Sequence, residues 1–111
     1  MEKAQVLAAL SALAHETRLD LLRLLIVAGP EGLAQGEIAR RLSISASGLA
    51  FHLALLGGSG LVRTRRAARH VFYAADRAGI GGVLGYVLHD CCQSHPEISA
   101  CCQPGGSDKT G

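Results

Sequence analysis

Residues 57–60 read Gly-Gly-Ser-Gly, and the chain changes its period across them. A run this poor in side chains leaves the backbone too free to hold a helix. Before it lie four segments with helical character. Glu2–Ala14 is rich in Ala and Leu, and Glu16–Ala28 carries Leu19, Leu22 and Ile26 on one expected face and ends at Gly29-Pro30. Glu37–Leu42 and Ala46–Leu56 are shorter and flank a tight Ser43-Ile44-Ser45 turn, and Glu31–Gly36 reads as a loop with room for a very short strand. After the break, Leu61–Arg66 and His70–Tyr73 are runs of strand character around Ala67-Ala68-Arg69, the pattern of a hairpin. Asp76 then stands as an N-cap for a fifth helix reaching about Cys92.

This order predicts a mainly α fold with a β-hairpin wing: a winged helix-turn-helix, in which the helix after the turn enters the major groove. Residues 1–92 would form the DNA-binding and dimerisation domain, and 93–111 a cysteine-containing tail. Around Pro96, and from Gln103 to Gly111, the tail reads as irregular. Gly79, Gly81, Gly82 and Gly85 each weaken the fifth helix by about 0.5–1 kcal/mol relative to Ala, so it needs outside support, which close packing against a second copy would supply. At 111 residues the chain has only a modest core of its own, which also favours a homodimer. Apolar residues make up 49% and aromatic ones 4%, so that core must be built from Leu, Ile, Val and Ala.

Helical spacing puts Leu49, Leu53 and Leu56 on the inner face of the fourth helix. Ser47, Ala50, Phe51 and Ala54 then face outward. An outward Phe on a short helix suits a thymine methyl, which only the major groove displays. Ser45 and Ser47 can donate to a base edge or a phosphate, and His52 flanks the same face. Two readings of His52 stay open: a phosphate contact, or a hydrogen bond inside the fold. In the hairpin, Arg63, Arg65, Arg66 and Arg69 have no acidic residue between them. Such a cluster can neutralise phosphates, which makes affinity fall steeply with salt; it can also serve as a charged strand edge that resists aggregation. Net charge, +2, decides nothing by itself.

The four cysteines fall in two adjacent pairs, Cys91-Cys92 and Cys101-Cys102. No apolar stretch approaches the roughly 20 residues that span a bilayer, so no membrane association and a reducing cytoplasmic setting are expected. There the thiols read as ligands or redox reporters. Neighbours on a helix project about 100° apart, so one pair brings two sulfurs together and a third can come from the folded-back tail. Three thiolates suit trivalent arsenic or antimony, whereas tetrahedral zinc usually takes more widely spaced pairs. A dithiol that captures an organoarsenical, a redox pair, and a cadmium, lead or zinc site helped by His89 or His95 are the alternatives. An enzyme is not expected, because there is no Cys-x-x-Cys and no glycine loop between a strand and a helix to hold an anion.

The sequence resembles the ArsR/SmtB family of metal- and metalloid-responsive repressors over most of residues 4–92. The resemblance is carried by residues 12–25 (ALAHETRLDLLRLL), by Gly36–Leu42 (GEIARRL), and by Phe51-His52-Leu53 ahead of Gly60-Leu61-Val62. It implies a homodimer through the first and last helices on double-stranded operator DNA. It also implies an inducer, here As(III) or Sb(III) at Cys91, Cys92, Cys101 and Cys102, with no obligatory cofactor.

Overall fold

A computed structural model of the chain describes residues 1–100. Its organising element is the helix that follows the turn. Leu49, Leu53 and Leu56 lie at i, i+4 and i+7, all three are buried, and they hold α4 (Ala46–Gly58) on the body of the protein. Around them gather α1 (Lys3–Leu13), α2 (Glu16–Ala28) and α3 (Gln35–Leu42), with Val6, Leu21, Leu25 and Ile38 in one core. Glu2 and Gln5 form a reciprocal capping box at the start of α1.

The inner face of α2 differs from the expected one. Arg18, Leu21, Leu22 and Leu25 are buried, whereas Leu19 and Ile26 are exposed. Apolar residues occupy nearly every position after Arg18, so spacing could not fix the rotation of this helix. The arginine does: its Nε donates to the Ala12 carbonyl at the end of α1.

β1 (Leu33–Ala34), β2 (Val62–Ala67) and β3 (His70–Ala75) form an antiparallel sheet in the order β1-β3-β2. The hairpin register runs from Val62 opposite Ala75 to Ala67 opposite His70. Ala68, in the two-residue turn, takes the left-handed conformation, φ 57°. At Gly32 (φ 77°), just before β1, a Cβ would collide with the Tyr73 carbonyl of β3.

Behind the sheet, Asp76 caps α5 (Arg77–Gly85) by accepting from the Gly79 backbone N–H at 2.9 Å. The continuous fifth helix expected up to Cys92 is not what forms. From Tyr86 to Cys91 the chain widens into a π-helical segment, a change helped by the low helical preference of the glycines before it. Support for those glycines is also divided. A Cβ at 79 would strike the Gly60 carbonyl and one at 82 would meet Met1, both within the chain; Gly81 and Gly85 face open space.

After the π segment, Gln93 and Ser94 are both left-handed and reverse the chain. Pro96 does not continue an irregular tail; it opens α6 (Pro96–Ala100). Proline suits a first helical turn, and His95 Nδ1 accepts from the Glu97 N–H to cap it. Cys101, Cys102 and residues 103–111 lie outside the described residues.

Candidate nucleic-acid interface

The turn between α3 and α4 is set by short-range bonds. Ser43 is left-handed (φ 55°), Ile44 N–H donates to the Ala39 carbonyl, and the Ser45 hydroxyl caps α4 by accepting from Gly48 N–H at 3.1 Å. With α4 fixed on its leucines, Ser47, Ala50, Phe51 and Ala54 are exposed; Phe51 keeps 60% of its surface in solvent. The outward face read from helical spacing is thus the outward face of the fold. Arg40 and Arg41 on α3 both pair with Glu37, and these hydrogen bonds, Arg41 first, hold the Glu37 carboxyl below its ordinary pKa.

His52 has an internal engagement. Its Nδ1 lies 3.2 Å from Nη1 of Arg18, and its ring centroid is 4.9 Å from that of His15. Burial pushes the imidazole below the usual histidine range, and the His15 and Arg18 charges push the same way. His15 in turn caps α2 by accepting from Thr17 N–H. Sequence reading missed Arg18. The available signal was an arginine at i−3, i−4 and i−7 from Leu21, Leu22 and Leu25, on what proves to be the apolar stripe.

The four wing arginines divide into two kinds. Arg65 donates through Nε to the Glu31 carbonyl (2.9 Å), pairs with the Glu31 carboxylate (3.2 Å) and lies over the Phe72 ring, 4.7 Å from its centroid. Arg63 donates to the Pro30 carbonyl at 3.3 Å. Both therefore latch the wing to the α2–β1 turn. Arg66 and Arg69, toward the hairpin tip, are exposed and have no hydrogen-bond or ion-pair partner among the described residues.

At the other end of the molecule Cys91 is exposed and Cys92 half-buried. The Cys91 thiol beside it, together with burial, raises the Cys92 thiol above its ordinary pKa. His89 Nδ1 stands 2.6 Å from the Ser94 hydroxyl. Among the described residues no three His, Cys, Asp or Glu side chains gather as a metal site, and no helix is long and apolar enough to cross a membrane.

Comparison with known proteins agrees with this geometry. A family model described as a helix-turn-helix domain matches residues 13–65. The transcriptional activator HlyU of Vibrio cholerae is 36% identical over 97 residues, covering 86% of this chain and 87% of the relative. Among solved structures, an ArsR-like transcriptional regulator from Rhodococcus sp. RHA1 superposes with a TM-score of 0.72 at 26% identity, covering 87% of this chain and 89% of that one. A homodimeric winged helix-turn-helix DNA-binding domain from Mycobacterium bovis, described as a possible ArsR-family regulator, gives 0.61 at 27% identity over 83% and 85% of the two chains.

Proposed function

Since the chain belongs to the ArsR/SmtB family of winged helix-turn-helix transcriptional regulators, we propose that it represses transcription as a homodimer on operator DNA and lets go when trivalent arsenic or antimony binds its cysteines. The observation that carries the DNA half of this reading is the solvent-facing side of α4, where Ser47, Ala50 and Phe51 stand out from a leucine anchor. Ser47 contacts base edges or phosphate, Phe51 meets a thymine methyl, and Ser45 adds a polar contact at the helix entrance. Arg66 and Arg69 neutralise phosphates, while Arg63 and Arg65 set the angle of the wing. His52, held by Arg18, acts inward to fix α4 on the body.

The dimer joins α1 and α5. Leu7 and Leu10 of α1 and Leu84 of α5 are exposed, beside the unfilled Gly81 and Gly85. Apolar side chains next to bare glycine backbone suit close approach of a second helix pair, and half-site spacing follows from that interface.

Cys91 and Cys92 supply two thiolates to the metalloid, and Cys101 or Cys102 supplies the third. The bound ion acts through its different affinity for free and DNA-bound dimer; a coupling of about 1–3 kcal/mol lowers operator affinity roughly 5- to 150-fold. Binding to DNA from the region upstream of the protein's own gene, measured at two salt concentrations, tests the first half. The proposal expects affinity to fall steeply with salt. Arsenite titration of the complex tests the second: wild type should release DNA and Cys91→Ser should hold it. Equal release by both would take Cys91 out of the mechanism.

A redox reading is favoured by one observation, the two reduced thiols of Cys91 and Cys92 side by side in the chain. It predicts release by peroxide, reversed by dithiothreitol, and no response to arsenite under reductant.

A further inference from the structure

Arg18 is the one charged residue buried among the described residues, with 9% of its surface exposed, and no carboxylate there pairs with it. Buried charges are costly unless partnered. Nε donates to the Ala12 carbonyl and Nη1 faces His52 Nδ1, while Nη2, with no hydrogen-bond partner among the described residues, keeps contact with solvent. The carbonyl end of α1 offsets only part of a full positive charge.

The same side chain lines a cavity of about 350 Å³ between α1 and α4. One wall is Ala8 and Ser11, the other Ala54, Leu55 and Gly58. No acidic residue lines it. It is an apolar cleft open to solvent, with one cation in its wall and the volume of a small-molecule site, whose few polar groups fix orientation while the apolar walls supply contact.

We propose that this cavity binds a small organic monocarboxylate, with the Arg18 guanidinium receiving the carboxylate and the small side chains of α1 and α4 enclosing its hydrocarbon body. A carboxylate accepting from Nη2 makes a charge-assisted bond. The occupant would touch α1 and α4 together, one hydrogen bond from His52. Its effect on operator affinity rests on the DNA-binding reading above; its binding does not.

Calorimetric titration of the full-length protein, without DNA, uses benzoate and butyrate as probes, with benzyl alcohol and butanol as their neutral counterparts. The expected result is saturable binding of at least one carboxylate at one site per protomer, with its alcohol weaker by roughly tenfold or more. Gly58→Val adds a side chain where a Cβ meets open space, and should abolish binding while leaving the thermal midpoint close to wild type. Ser11→Leu narrows the cavity from the α1 side and should do the same; it decides the matter if the valine variant fails to fold. Arg18→Lys keeps the charge but loses the planar fork, and should weaken binding. The proposal is overturned if neither carboxylate binds saturably, if the alcohols bind as tightly, or if binding survives the cavity-filling substitutions.

Discussion

The two ends of this molecule are built on opposite plans. At the reading end, α4 is pinned by three buried leucines, capped by Ser45 and bonded through His52 to a buried arginine, and the wing is latched by Arg63 and Arg65. At the thiol end, neither the π segment nor α6 has a single buried residue. The first surface exists before its partner arrives, so binding costs it little ordering. The second is held to the core only through the half-buried Tyr86 and Val87, and the stretch beyond them is the kind that opens locally at low free energy. Under the proposed function, a ligand at Cys91 and Cys92 would bear the cost of ordering its own surroundings, and could transmit only what α5 passes on.

The comparison breaks first if the leucine anchor is dispensable. Leu53→Ala should cost about 2–5 kcal/mol in urea unfolding, the range for emptying a packed leucine site, while Cys91→Ser should stay within about 0.5 kcal/mol of wild type. Similar destabilisation by both would erase the contrast.

Replacing Arg66 and Arg69 together with Ala should reduce the slope of log affinity against log salt by about two, roughly one unit for each phosphate that is no longer neutralised. Arg65→Ala should leave that slope nearly intact and instead speed hydrogen exchange in β2 and β3, because it removes the latch on Glu31 and Phe72. A drop of a full unit of slope on replacing Arg65 would return it to the phosphate-binding set.

Removing the cap by Ser45→Ala should cost about 1 kcal/mol of stability and fray the first turn of α4, visible as faster exchange at Gly48 N–H.

The smallest effect expected is on pH dependence. His52 is held below its ordinary pKa of 6.5, so the unfolded chain binds its proton more readily than the folded one does. The stability this gives is complete above the unfolded value and is lost as pH falls through the lower folded value. His52→Gln should flatten the stability profile in that window. An unchanged profile would mean that burial beside His15 and Arg18 does not hold the imidazole below its ordinary pKa.

How much of this was legible beforehand varied from element to element. The outward face of α4 could be read because Leu49, Leu53 and Leu56 recur at helical spacing, and one rotation buries all three. In α2 the same arithmetic failed, since apolar residues fill both candidate faces, and a buried charge reaching for a carbonyl fixed the answer. The wing arginines were visible as a group but not as two kinds: Glu31 and Pro30 lie more than thirty residues away in the chain, and no local pattern brings them to Arg65 and Arg63. Likewise, the glycines of α5 announced a close approach, which the sequence reading assigned to a second copy. Gly60 and Met1 of the same chain answer for Gly79 and Gly82.

Local chemistry in the chain settled the order of the first four helices and the hairpin, where the period switches from helix to strand, and which side of α4 looks outward, because caps, glycines and periodicity act over a few residues. It did not settle where α4 and α5 end, since α4 runs on through Gly58 and α5 gives way at Tyr86. Folding in three dimensions decided which charges are spoken for. Among the described residues Arg63 and Arg65 find partners and the side chains of Arg66 and Arg69 do not, since pairing depends on distances between segments that only packing of the whole core can set.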